Sequence, residues 1–373
     1  MTMLLVTGLL IVALVTTAAW AMPALARPSL PFGVRVPPGR ITDRAVTEQR
    51  RAYTRRVLGL GALAALASPP LLVLGGPERT PALVPAVLML ADAVAYYLAH
   101  RAVRTAKSRG NWYAGSRQGV TTDTSLRTDP VRVPWPWLAP AALVLVAGAV
   151  TGITRYGGLP ATLPTQRGMG VDIAHRVSTT PPAAFAPVLV QAVLILLMPL
   201  LAAGLTRARP ELDAARPAGS ARRYRAYLKG VIRLVFATAA CANLSVFLIA
   251  LQIWEILRPS VTMTAVTYLP LGAALVAWVA FELRVGQAGH RLPPEPGEEA
   301  EDSDLVQRDD DRHWHLGGFV YANRADPALY VHQRAGGASW TMNLGHPLTW
   351  AVLAVVLVVA LLAAAGAIPL PAR

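Results

Sequence analysis

RYGGLPATLPTQRGMGVDIAHR, residues 155–176, is a polar interruption in a mostly apolar chain. Four apolar blocks precede it and four follow. Pro160 and Pro164 stand inside it, and Pro181 and Pro182 come just after. Proline fixes φ and pushes the residue before it out of helix. The stretch is therefore expected to hold an extended or turned backbone, as an ordered cap over a helical bundle. Tyr156, Leu159, Pro160 and Pro164 are its expected scaffold. Gln166, Arg167, Asp172 and Arg176 are its candidate ligand-binding groups.

Composition sets the surroundings of that cap. The 373 residues are 54% hydrophobic and 15% charged, with net charge +14; a soluble chain carries about 25% charged residues. The mean hydropathy is +0.42. The shortfall in charge comes from blocks of about 20 apolar residues, enough to cross a ~30 Å hydrocarbon core as helices. They run over residues 3–26, 57–75, 82–99, 135–153, 185–205, 228–254, 264–281 and 348–368. The expected fold is an all-α polytopic membrane protein with eight transmembrane helices. The first block could pass for a signal peptide, but its basic residues follow it instead of preceding it, so a retained helix is expected.

Lys and Arg are distributed in alternation. The connections at residues 27–56, 100–134, 207–233 and 284–347 hold 29 of them, and the other connections with the C-terminal tail hold 6. By the positive-inside rule the basic connections are cytoplasmic, both termini lie outside a cytoplasmic membrane, and residues 155–176 form the one long outer loop. The same placement accounts for the net charge by anionic lipid, so membrane lipids and not nucleic acid are the expected partner of the basic surface. The single cysteine, Cys241, excludes an intramolecular disulfide and a cysteine-based zinc site.

Five segments follow: residues 1–134 with three helices, 135–206 as helix, outer loop and helix, 207–290 as a two-helix hairpin, 291–312 as an acidic linker, and 313–368 as a small β region plus the last helix. Residues 295–311 hold nine acidic residues and one basic residue, the composition of a solvated, disordered tether. Beyond them the expected strands are 317–321, 329–332 and 340–344, a cytoplasmic three-stranded meander that needs the bundle to pack on.

Two groups of residues carry a family resemblance. Tyr156, Leu159, Pro160, Leu163, Pro164 and Thr165, followed by Gly170, Asp172 and Arg176, resemble the DUF1648 domain. That domain occurs in bacterial membrane proteins related to the immunity and signalling protein for the sporulation-delaying toxin. Gln166 stands where the family usually has histidine, and Val171 where it has proline. Residues 318–331, GFVYANRADPALYV, with Arg334, Trp340, Thr341, Asn343, Gly345 and Pro347, look like the DUF5808 domain. Its motif residues here are Asn323, Asp326, Pro327, Arg334, Trp340, Asn343 and Gly345. The resemblance implies a non-enzymatic membrane protein that senses or neutralises an extracellular peptide or toxin, with a cytoplasmic regulatory protein as a second partner class.

Asp92 is the sharpest intramembrane residue. A lone carboxylate at mid-span calls for a partner or a wet cavity. Tyr96, one turn on, and Asn243 or Gln191 on other spans are the expected partners, and the alternative reading makes Asp92 the coupling site of a secondary transporter. A structural subunit of a membrane complex is the third reading. No HExxH, Walker A, GxSxG or dinucleotide motif occurs, so no catalytic residue and no cofactor are assigned. His313 and His315 follow three aspartates without any standard ligand spacing, so no metal site is assigned. Trp135, Trp137, Trp254 and Trp350 fall at span ends, as in an interfacial belt.

Overall fold

The computed structural model describes residues 2–75, 80–120 and 125–364. Most of the connection expected at 76–81, Arg373 and the end of the last expected span lie outside these residues. In chain order the elements are α1 (Thr2–Leu25), α2 (Arg44–Gly75), α3 (Thr80–Arg109), β1 (Gln118–Gly119), α4 (Ser125–Thr128), α5 (Ala139–Arg155), β2 (Thr162–Arg167), β3 (Gly170–Ser178), α6 (Pro181–Thr206), α7 (Pro217–Ile253), α8 (Val261–Arg284), β4 (Val306–Gln307), β5 (Trp314–His315), β6 (Val320–Tyr321), β7 (Tyr330–His332), β8 (Trp340–Met342) and α9 (Pro347–Ala364). Among the described residues seven helices are long and apolar enough to cross a membrane, and the stretch Pro347–Leu362 of α9 is apolar but shorter. The chain is a multi-pass membrane protein. Large side chains such as Leu14, Leu66, Leu90, Leu143, Leu200 and Val276 stand exposed on these helices, as lipid-facing residues must.

Helices α2, α3 and α7 begin or end beyond their apolar blocks, because their basic ends continue helically. Helices α2, α6 and α8 run unbroken through their prolines: Pro69 and Pro70 lie inside α2, Pro199 inside α6 and Pro270 inside α8.

The chain divides into two compact units, each drawn from three stretches: residues 1–123, 209–224 and 284–347, and residues 124–208, 225–283 and 348–373. The five sequence segments are thus distributed between them. In the first unit α1, α2 and α3 pack together. An aromatic knot closes their core: Phe32, Tyr53 and Tyr96 meet edge to face at 5.3–6.1 Å, and Phe319 adds its ring to Tyr96 at 5.6 Å. In place of the expected three-stranded meander this unit holds two two-stranded sheets, and the turn before β6 packs on α3. β5 pairs with β6 and β7 with β8, both antiparallel, and Tyr321 bridges to Asn343. The expected strand at 317–321 begins instead as a tight turn. Gly317 and Gly318 have φ of 72° and 92°, and a Cβ on Gly318 would lie 3.0 Å from the Gly33 Cα. Glycine is required there by both backbone and space.

In the second unit small residues let helices approach. A Cβ on Gly148 would sit 2.7 Å from Gln191 Oε1, and one on Gly152 2.9 Å from the Phe185 ring. Polar side chains tie the spans together. Gln191 Nε2 donates to the Asn243 carbonyl at 2.9 Å, Gln252 Nε2 to Thr267 Oγ1 at 3.1 Å, and Trp278 Nε1 to Thr238 Oγ1 at 2.9 Å. Trp254 corrects one expectation. It is buried and donates to the Ala184 carbonyl at 2.9 Å, so it holds a helix junction, while Trp135, Trp137 and Trp350 are exposed.

Candidate functional site

The loop at 155–176 is a β-hairpin, so an all-α description is incomplete. β2 and β3 pair antiparallel, with Gly168 and Met169 at the turn between Arg167 and Gly170. Gly168 takes φ 57°, as the first position of a tight hairpin turn demands. Its root is apolar: Leu163 is buried against Ala184, Ile249, Ala250, Ile253 and Trp254, with Tyr156, Leu159 and Val171 packed alongside. Tyr156 also faces the Phe185 ring at 5.7 Å, and the Thr179 hydroxyl donates to the Pro160 carbonyl at 2.5 Å. The expected scaffold residues are therefore at the root, and Pro164 is itself a buried residue of β2 paired with Arg176.

A bulge in β3 shapes the upper part. Pro164 pairs with Arg176 but Thr165 pairs with Asp172, so residues 173–175 loop out. That brings His175 back onto Asp172, with Nδ1 at 2.6 Å from Oδ2, and onto Arg167, whose Nη1 is 2.9 Å from His175 Nε2. The backbone N–H of Ala174 and the His175 ring hold the Asp172 carboxyl below its ordinary pKa. Met169 and Ile173 stand 67% and 64% exposed beside this cluster. Arg176 turns the other way: it donates to Thr162 Oγ1 at 2.9 Å and pairs with Glu255 at 2.6 Å. Of the four candidate residues, Arg167 and Asp172 share one cluster, Arg176 is a clamp to the segment after α7, and Gln166 is half-buried opposite Val171. His175 and Glu255 were missed. No signal in the sequence pointed to His175, because the register shift that turns it onto Asp172 leaves no period in the sequence.

No family model, curated protein or solved structure matches the chain.

The inner motif residues assemble around Asn343, which is fully buried. Its Nδ2 donates to the carbonyls of Asn323, Asp326 and Ala328 at 2.9, 3.1 and 3.2 Å. Its Oδ1 accepts from the N–H of Asn323 and of Gly345, both at 2.9 Å. A Cβ on Gly345 would lie 2.4 Å from the Asn323 carbonyl carbon. Asp326, just before Pro327, accepts from the Tyr321 hydroxyl at 2.9 Å and pairs with Arg209. Trp340 lies against the His332 ring at 4.6 Å.

The acidic run is no solvated tether. Asp309 and Asp311 both pair with Lys107, at 2.7 and 2.6 Å. Asp310 and Asp311 pair with Arg334, whose side chain is 2% exposed. Arg35 reaches Asp310 at 3.0 Å and also Glu211. Arg334 lies over the Trp314 ring at 4.7 Å. Earlier in the run, Glu298 pairs with Arg222 at 2.5 Å, and Glu301 accepts from the N–H groups of Ala218 and Gly219 at 2.8 and 3.0 Å, at the start of α7, where a carboxylate is favoured.

This network fixes a pH dependence. Burial alone would raise the Glu211 carboxyl, but the charges of Arg35 and Arg27 outweigh it and hold it at about 2. Asp310 and Asp311 are likewise held low, burial being outweighed first by Arg334. These carboxyls bind protons more weakly in the folded state. They stabilise the fold above the ordinary carboxylate range near pH ~4, and that stability is lost as pH falls from there towards about 2. Burial pushes His332 down to about 3, which adds a loss beginning below pH ~6.5, because the unfolded chain takes up that proton first. Chemical denaturation of the detergent-solubilised protein, followed by tryptophan fluorescence, should show stability falling steadily below about pH 6 and steeply below about pH 4. A profile flat down to about pH 3 would exclude the paired carboxylates as a stabilising core.

The expected partners of Asp92 are not made. Asp92 is 5% exposed, and neither of its oxygens, nor the Tyr96 hydroxyl, has a hydrogen-bond partner among the described residues. Gln191 Nε2 donates instead to the Asn243 carbonyl, and Asn243 Nδ2 is turned to the Ala239 carbonyl of its own helix, both at 2.9 Å. The expectation failed because Tyr96 is held by ring packing in the aromatic knot, and not by its hydroxyl.

Proposed function

We propose that this is a non-enzymatic protein of the cytoplasmic membrane that recognises an extracellular peptide or toxin with the β2–β3 hairpin, in the manner of an immunity or envelope-sensing protein. The observation that carries the reading is the hairpin tip: exposed Met169 and Ile173 beside the Arg167–His175–Asp172 cluster. An apolar pair rimmed by polar groups is the usual form of a recognition surface. The buried root at Leu163 supports it, since a rigid scaffold under a projecting loop favours binding. The resemblance of residues 156–176 to the DUF1648 domain points the same way. With α9 as an eighth span, the excess of basic residues on alternate connections supports an outer hairpin, outer termini and a cytoplasmic β region. The β region and its ion-pair network would then be the surface offered to a cytoplasmic regulatory protein.

Two measurements test this. With Cys241 replaced, single cysteines at Thr162 and Ser339 should react from opposite sides of intact cells. Reaction of both with an impermeant reagent would sink the eight-span arrangement. For recognition, Arg167→Ala with His175→Ala should remove most protection of a sensitive host against membrane-active peptides, at unchanged protein level. Retention of full protection by the double variant, where the gene itself protects, would exclude the tip as the recognition surface. Transport remains the second reading because of the unpartnered Asp92 carboxylate. Loss of growth on a solute in a deletion strain, with no change in peptide sensitivity, would decide for it.

A further inference from the structure

The first unit holds a cavity of about 600 Å³ between α1, α2, α3 and the turn that precedes β6. Its volume is that of a small-molecule site. Among the described residues no Lys, Arg or His lines it, and Asp92 is the one acidic residue that does. The rest of the lining is aliphatic and aromatic, with Tyr53, Tyr96, Tyr97 and Phe319 contributing rings. The Tyr53 hydroxyl is already given to the Ala19 carbonyl at 2.8 Å, so this ring offers its body and not its proton. Asp92 is 95% withdrawn from the surface, being 5% exposed, and both of its oxygens lack a hydrogen-bond partner among the described residues.

A carboxylate in apolar surroundings attracts a cation over several ångströms, because the field is not damped by water. Its oxygens are covered, so an ammonium that must replace lost water with hydrogen bonds is poorly served. A cation whose charge is spread or sheathed by carbon needs no such bonds, and it gains from aromatic faces, the chemistry by which quaternary cations are recognised. We propose that this cavity binds a lipophilic organic monocation, with its charge near Asp92 and its apolar body against Tyr53, Tyr96 and Phe319. The site is within reach of lipid-dissolved ligands through α1, where Ala18 is both exposed and a cavity-lining residue. The inference rests on neither reading of function: binding here is required neither for recognition by the hairpin nor for passage across the membrane.

The test uses the full chain in nanodiscs, with tetraphenylphosphonium as probe and tetraphenylborate as its isosteric anion, by equilibrium dialysis against empty nanodiscs. Saturable phosphonium binding is expected, without matching borate binding. Asp92→Asn should weaken phosphonium by at least about tenfold, with gel-filtration profile and helix content unchanged. Ala18→Trp, which adds bulk to the α1 wall of the cavity and leaves Asp92 itself unchanged, should weaken it as well, and it decides the matter together with the borate comparison if the Asp92 variant does not fold. Three outcomes overturn the proposal. Equal binding of the two ions makes the cavity a slot for acyl chains, undiminished phosphonium binding by Asp92→Asn makes the carboxyl a bystander that carries a proton, and absence of saturable phosphonium binding removes the site.

Discussion

Arg334→Met is expected to destabilise the first unit by about 3–5 kcal/mol, the range for removing one partner from a buried ion pair. The side chain is 2% exposed and serves Asp310 and Asp311 together. Methionine keeps much of the volume against Trp314, so the loss is one of charge, the cation–π contact with that ring included. It leaves two carboxylates among low-dielectric neighbours. Arg35 and Lys107 remain, at 3.0 and 2.6 Å from Asp310 and Asp311, but each already serves a second acid, Glu211 or Asp309. Adding Asp310→Asn should restore part of the loss by removing the stranded charge. Denaturant unfolding of the solubilised protein, followed by tryptophan fluorescence, reads both variants. A change below about 1 kcal/mol for Arg334→Met would place the pair among solvated surface bridges.

Asn343→Ala is expected to cost about 2–4 kcal/mol, since each buried polar group left unsatisfied costs about 1–3 kcal/mol and some of these lie where water can enter. One amide closes five bonds, two from backbone N–H groups and three to carbonyls. Asn343→Asp separates shape from chemistry. It keeps the acceptor for Asn323 and Gly345 but turns a charged oxygen towards three carbonyls, so it should be worse than alanine. Hydrogen exchange at Asn323 and Gly345 is the local readout, and both amides should exchange faster in the alanine variant. Unchanged exchange there would mean that the β strands alone hold the motif.

The membrane-spanning character of the chain was legible from one property, the length of its apolar blocks, because an apolar stretch in lipid has only the helix with which to satisfy its own backbone. The motif around Asn323 and Asn343 could be located from its glycines, prolines and short-range turn chemistry, although Gly317 and Gly318 proved to be a turn and not the start of a strand. An extended or turned cap was anticipated at residues 155–176, and the structure places Tyr156, Leu159 and Leu163 together at the root of a hairpin. The bulge that carries His175 back onto Asp172 was not anticipated, since an irregularity in strand register leaves no period in the sequence.

What only the tertiary structure decided is where each charge is paired. Lys107 and Asp311 are 204 positions apart, and Arg35 and Asp310 are 275 apart. A formal charge carries no record of its partner, so Arg35 and Lys107 counted only as orientation signals, Arg334 as a motif residue without a role, and Asp309, Asp310 and Asp311 as a solvated run. Brought together they are the polar core of the first unit. Asp92 is the reverse case: its sequence position announced a need for a partner, and among the described residues both of its oxygens are without one.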